Sequence, residues 1–137
     1  MKRMLLILLM FACIFSSGCI SSSDEDNVKD VVREYYSAYN NRDSDTVIDL
    51  FSQELLEKNG GKDTIKANLE DLFTMADDTE LELKILRFLN IRFLNETVFI
   101  NFDVRLTDVD RNEEFNLTFK LVKEEGMWKI LEMIEES

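Results

Sequence analysis

The chain has 137 residues, with 28 acidic against 16 basic side chains and a formal net charge of −12. Hydrophobic residues make up 45 % of it and ten are Phe, which is enough to bury a core and rules out a disordered acidic tail. So acidic a surface repels phosphate backbones, so no nucleic-acid partner is expected. The absence of His removes imidazole-activated nucleophiles and the usual ligands of catalytic zinc.

The first stretch, "MKRMLLILLMFACIFSSGC", starts with Lys2 and Arg3 and is apolar from Met4 to Phe15. Those twelve residues are too few to cross a bilayer core, which takes about 20 helical residues. A basic start, a short apolar run and then Ser16-Ser17-Gly18 is the layout of a secretory signal peptide. With Cys19 next, the segment resembles a lipoprotein signal, in which the cysteine after the cut carries diacylglycerol. Ser16 stands where bacterial signals of this kind favour Leu, and "SGC" followed by Ile looks more like archaeal lipoproteins. The resemblance implies a signal peptide over 1–18, a lipidated Cys19 and a short acidic tether over 19–27. Cys13 would leave with the peptide, so no disulfide is expected. One diacylglyceryl group brings two chains, the level that stable anchoring requires. The expected place is the cell membrane, facing the extracytoplasmic side.

The folded domain is expected over 28–137. Val28, Val31, Val32, Tyr35, Tyr36 and Tyr39 recur at helical spacing and form one broad apolar face. "NNRDSD" interrupts it, and Asp43, Ser44 or Asp45 can cap a second, short helix carrying Val47, Ile48, Leu50 and Phe51. Asn59-Gly60-Gly61 is a strong break. A third helix follows, with Asp63 as its expected cap and Ile65, Leu69, Leu72 and Phe73 on one face.

After Thr79 the period changes from 3.6 to 2. "ELELKILRFLNIRFLN" reads as one long, bulged strand that reaches the turn at Asn95-Glu96-Thr97. Val98, Ile100, Phe102, Val104 and Leu106 then alternate with Asn101, Asp103 and Arg105. Phe115, Leu117, Phe119 and Leu121 do the same against Asn116, Thr118 and Lys120. "EEG" turns the chain into "MWKILEMI". Helices followed by hairpin-linked strands predict an α+β fold: three N-terminal helices packed on one face of an antiparallel sheet.

That order resembles the nuclear transport factor 2-like superfold, the cystatin-like cone that also hosts polyketide-cyclase-like and ketosteroid-isomerase-like domains. Three stretches carry the resemblance: "VVREYYSAYNNRDSDTVIDLFS" (31–52), "GGKDTIKANLEDLF" (60–73) and "EEGMWKILEMI" (124–134). It implies that the antiparallel sheet is curved, with a pocket between the helices and its concave face. The residues that fall there by periodicity are Tyr35, Tyr36, Tyr39, Phe51, Trp128 and Glu132. The simpler reading of the aromatics is plain core. Glu132 is placed on the face of Trp128 and Ile130, either as a carboxylate in the pocket mouth or, by preference, as an exposed strand end.

No catalytic residue, metal site or cofactor is assigned. An isomerase-type site needs a carboxylate base and a donor for the developing oxyanion in a shielded place. Tyr35 or Tyr36 with Glu132 is the nearest approach to one, whereas Asp103 falls on the polar strand face. "DVDRNEEFNLTF" opens like a calcium loop, but Glu113 replaces the required Gly and Phe119 the closing Glu. Asn95 and Asn116 head N-x-[ST] triplets, open to N-glycosylation in a host that glycosylates; such triplets also arise by chance. The leading expectation is a non-enzymatic, lipid-anchored domain that binds a small apolar or amphipathic ligand or an envelope partner. The alternative is a homodimeric interaction module whose outer sheet face carries Phe99 among polar residues.

Overall fold

The computed structural model describes residues 22–136. The expected signal peptide over 1–18, with Cys13 in it, and Cys19 lie outside the described residues. The first helix, α1 (Ser22–Asn40), starts earlier than expected. Residues 22–27, expected as a tether, are its first turns, where Asp24 and Glu25 meet the positive end of the helix dipole. Its apolar face buries Val28, Val32, Tyr35 and Tyr36.

Two short helices follow, α2 (Ser44–Asp49) and α3 (Gln53–Lys58), and then a long one, α4 (Lys62–Thr79). Asp43 is the cap of α2, its carboxylate accepting from the Thr46 N–H at 3.2 Å. The helix α3 was not expected, which makes four helices among the described residues instead of three. Its start is set by fully buried Ser52, whose hydroxyl accepts from the Leu55 N–H at 3.1 Å. The cap of α4 is Gly61, not Asp63: at φ 91° the glycine turns the chain sharply into the helix, so Asp63 falls inside the first turn.

The strands β1 (Glu82–Leu94), β2 (Thr97–Thr107), β3 (Asn112–Glu124) and β4 (Met127–Glu136) form an antiparallel meander in the order β1-β2-β3-β4. In β1 the register shifts twice, between Ile85 and Arg87 and between Phe88 and Asn90, so the strand is long and bulged. Strict alternation in β2 and β3 sends Val98, Ile100, Phe102, Phe119 and Leu121 to the helices, all essentially inaccessible to solvent. Phe102 and Phe119 meet edge-to-face at 5.0 Å and receive Tyr35 and Tyr36 from α1. The architecture is the expected α+β cone. Among the described residues no helix is long and apolar enough to cross a membrane.

Candidate functional site

Between α1, α3, α4 and β4 lies an open cavity of about 490 Å³. Helical spacing supplies most of its wall: Tyr35 and Tyr39 lie four apart on α1, and Ile65, Leu69 and Leu72 line one stripe of α4. Phe51 closes the floor. Its segment is held against the sheet by a short parallel bridge to Ile130, in which the Ser52 N–H donates to the Ile130 carbonyl at 2.8 Å and the Ile130 N–H to Leu50 at 2.7 Å. Lys58, Asn59, Asn68 and Glu132 give the cavity a polar rim. An apolar bed with a polar margin suits a molecule that has a hydrophobic body and a hydrogen-bonding end.

Burial pushes the Tyr35 phenol above its ordinary pKa, and neighbouring Tyr39 adds to the shift. Tyr36 is raised by burial first and then by Tyr35 and Tyr39. Tyr39 is raised by burial against an opposing pull from the Arg42 guanidinium. All three stay neutral at physiological pH, so the two that line the cavity, Tyr35 and Tyr39, present uncharged phenols to it.

Of the six residues expected at a pocket, Tyr35, Tyr39, Phe51 and Glu132 border this cavity. Tyr36 belongs to the core, stacked on Phe119 at 6.1 Å. Trp128 stands toward the start of β4, edge-on to Phe93 at 6.1 Å and under the Lys123 ammonium. Its indole Nε1 is buried with no hydrogen-bond partner among the described residues. Alternation along β4 fails for Glu132. A bulge at Leu131 pairs Ile130 with Leu121 but Glu132 with Lys120, so Glu132 does not share the Trp128–Ile130 face. It is exposed at the cavity mouth. The lining residues of α3, Leu55 and Lys58, were missed with their helix. Ser52 ahead of "QELLEK" and the glycines behind it were the signal that could have found them.

The opposite face of the sheet carries a connected polar ladder. The Asn101 amide donates to Asn116 Oδ1 at 2.8 Å and to the Thr118 hydroxyl at 2.9 Å, and Thr118 donates on to Glu136 at 2.9 Å. Asn116 donates to Asp103 at 2.9 Å, and Arg87 does so from the other side at 2.7 Å. These bonds, Asn116 first, hold the Asp103 carboxyl below the usual carboxylate range. The Asn116 amide, at the second glycosylation triplet, is thus engaged in the ladder, whereas Asn95 sits exposed in the β1–β2 turn at φ 56°. Phe99 is flanked by Arg92 at 5.1 Å and Lys120 at 5.6 Å, beside a hollow of about 390 Å³. In the calcium-like run, Asp108 accepts from the backbone of Asp110 and Arg111 and from the Arg111 side chain, as a turn does.

Helices laid across the concave face of a four-stranded meander, with an open cavity between them, define an NTF2-like α+β cone. The sequence profile of the nuclear transport factor 2 (NTF2) domain matches residues 27–135, and the chain belongs to that family. A solved NTF2-like protein of unknown function from Shewanella oneidensis MR-1 superposes with a TM-score of 0.68 at 19 % identity, over 83 % of this chain and 99 % of that one. A domain of unknown function with a cystatin-like fold from Nostoc punctiforme gives 0.69 at 16 %, over 85 % and 78 %. An NTF2-like protein of unknown function from Pseudomonas putida KT2440 gives 0.70 at 12 %, over 86 % and 89 %. At these identities the likeness is one of fold. No curated protein matches the chain in sequence.

Proposed function

We propose that the chain is a lipid-anchored, extracytoplasmic binding domain without enzymatic activity, and that its ligand is a small amphipathic molecule held between α1, α3, α4 and β4. The observation that carries the ligand is the cavity of about 490 Å³, apolar at its bed and polar at its rim. The anchor and the location rest on Gly18-Cys19 behind a short apolar segment. The non-enzymatic reading draws on the carboxylates. Glu132 stands exposed at the mouth, off the Ile130 face, and Asp103 is engaged by Arg87 and Asn116 on the far side of the sheet.

Native mass spectrometry of the membrane-extracted chain tests both halves at once. The expected spectrum carries a diacylglyceryl adduct that Cys19→Ser abolishes, and a second, non-covalent mass that departs on unfolding. A chain that remains in the membrane fraction as Cys19→Ser overturns the anchor. An apo mass, together with no thermal shift across a panel of fatty acids, sterols and aromatic acids, overturns the ligand.

A second reading, a homodimer through the outer sheet face, draws on one observation. Phe99 stands among polar groups beside a hollow of about 390 Å³ that its face leaves open.

A further inference from the structure

The path of α1 fixes which end of the domain its N-terminus marks. Asn40 bonds Leu83 near the start of β1. Lys29 and Arg33 lie over Phe88 at 5.7 and 5.1 Å, and Glu25 and Lys29 share a small hollow with Asn90 and Ile91. Residue numbers fall along α1 as they rise along β1. Ser22 therefore emerges at the end of the sheet where β1 turns into β2 and β3 into β4. The two turns are joined there, since the Lys123 N–H donates to the Glu96 carbonyl at 3.3 Å.

This end exposes apolar side chains beside its turns. Leu94 is 49 % and Met127 60 % exposed, Leu89 is open beside the first turns of α1, and Phe93 and Trp128 pack just behind. Solitary exposed apolar residues are ordinary on a soluble surface. The chain length outside the structure sets these apart. Cys19 is three residues from Ser22, a span of at most about 11 Å when fully extended. An anchor on Cys19 holds the start of α1 within that distance of the headgroups.

We propose that this end, led by Leu94 and Met127, rests on the lipid surface and fixes the orientation of the domain. The proposal rests on the anchored reading above. The lipid supplies attachment, and the two side chains supply a second contact that stops the domain tumbling about its anchor. The start of α1 at Ser22 leaves little slack for such tumbling. Trp128, the only tryptophan in the chain, reports on the contact because it stands at this end.

The test uses the full lipidated chain in phosphatidylcholine vesicles that contain a spin-labelled phosphatidylcholine quencher. Trp128 fluorescence is expected to fall when the quencher is present. In V109W/W128F, which moves the reporter to the exposed β2–β3 turn at the opposite end, it is expected to hold. L94E/M127E, altered at exposed positions only, is expected to lose the quenching while its mass still shows the adduct. Circular dichroism confirms that each variant folds. If V109W/W128F does not, the comparison of L94E/M127E with the parent decides alone.

Equal quenching at both ends overturns the proposal, as does quenching that survives in L94E/M127E. An anchored chain whose Trp128 is shielded in a concentration-dependent dimer, or by a co-purifying protein, also overturns it. Each of those results leaves the anchor standing. A chain with no adduct overturns the anchored reading itself, and this inference falls with it.

Discussion

The side-chain amide of Asn40 pairs with both backbone polar groups of Leu83: Nδ2 donates to the carbonyl at 2.7 Å and Oδ1 accepts from the N–H at 2.9 Å. The last residue of α1 thus imitates a neighbouring strand at the entry to β1. Beside it the Arg42 guanidinium donates to the Leu81 carbonyl at 2.8 Å and to Asp77 at 2.9 Å, tying the ends of α1 and α4 to the sheet.

Asn40→Ala leaves a partly buried N–H and carbonyl without partners. The expected loss is about 1–3 kcal/mol of unfolding free energy with an unchanged denaturant slope. Urea titration followed by circular dichroism measures it. A loss within about 0.5 kcal/mol, the level of an ordinary surface change, would show that water replaces the pair at no cost.

Leu72 lines the cavity but is 47 % exposed, so a substitution there probes binding without loss of the fold. Leu72→Glu places a charge at the edge of the apolar bed. For whichever ligand the native mass identifies, affinity is expected to drop about tenfold, equivalent to about 1.4 kcal/mol. Calorimetric titration reads the change, and the thermal midpoint of the ligand-free variant should stay near that of the parent.

Stability is expected to fall at both extremes of pH, for opposite reasons. Tyr35, Tyr36 and Tyr39 have raised pKa values in the folded chain, so the native state holds their protons more tightly than the unfolded one does. Their contribution is complete below about pH 10, the unfolded value, and drains away as the pH rises beyond it. Asp103 is shifted downward by Asn116 and Arg87, so its contribution is present above about pH 4 and is lost as the pH falls below that. Asp103→Asn should flatten the acid limb of a stability-against-pH curve and leave the alkaline limb as it was. Tyr36→Phe should flatten the alkaline limb alone.

Phe99→Glu sets a carboxylate between Arg92 and Lys120, where it can pair with either. The fold should tolerate it, because the side chain sits on the outer face. Analytical ultracentrifugation of parent and variant then decides the dimer reading. A parent dimer that becomes monomeric supports it, and an oligomeric state shared by both removes it.

Much of the fold was legible because two periodicities in the chain are unusually clean. The valine-tyrosine stripe of α1 and the strict alternation of β2 from Val98 to Val104 each point one way and are buried that way. The errors lie where local backbone events override period. Leu131 is inserted opposite β3, and that single extra residue moves Glu132 off the face that counting by two assigns it. Gly61 enters α4 at a positive φ and takes the cap from Asp63. The helix α3, only six residues long, is too short for a periodic signal and depends on the Ser52 cap and its contact with β4. The cavity was half legible for the same reason. Its α1 wall follows from spacing, whereas its α3 wall follows from a tertiary bridge between Phe51 and Ile130.

That bridge has a further effect, on self-assembly. A meander of four strands has two free margins, each a row of backbone groups that another chain could copy and extend into an aggregate. On the β4 side, Leu50 and Ser52 already occupy the groups of Ile130. On the β1 side, two breaks in register and the charged side chains of Lys84, Arg87 and Arg92 make a poor template. On the anchored reading proposed above, copies of the chain would share the plane of a membrane and meet far more often than copies free in solution. The occupied groups of Ile130 on one margin and the broken register on the other each lower the chance that such an encounter extends the sheet.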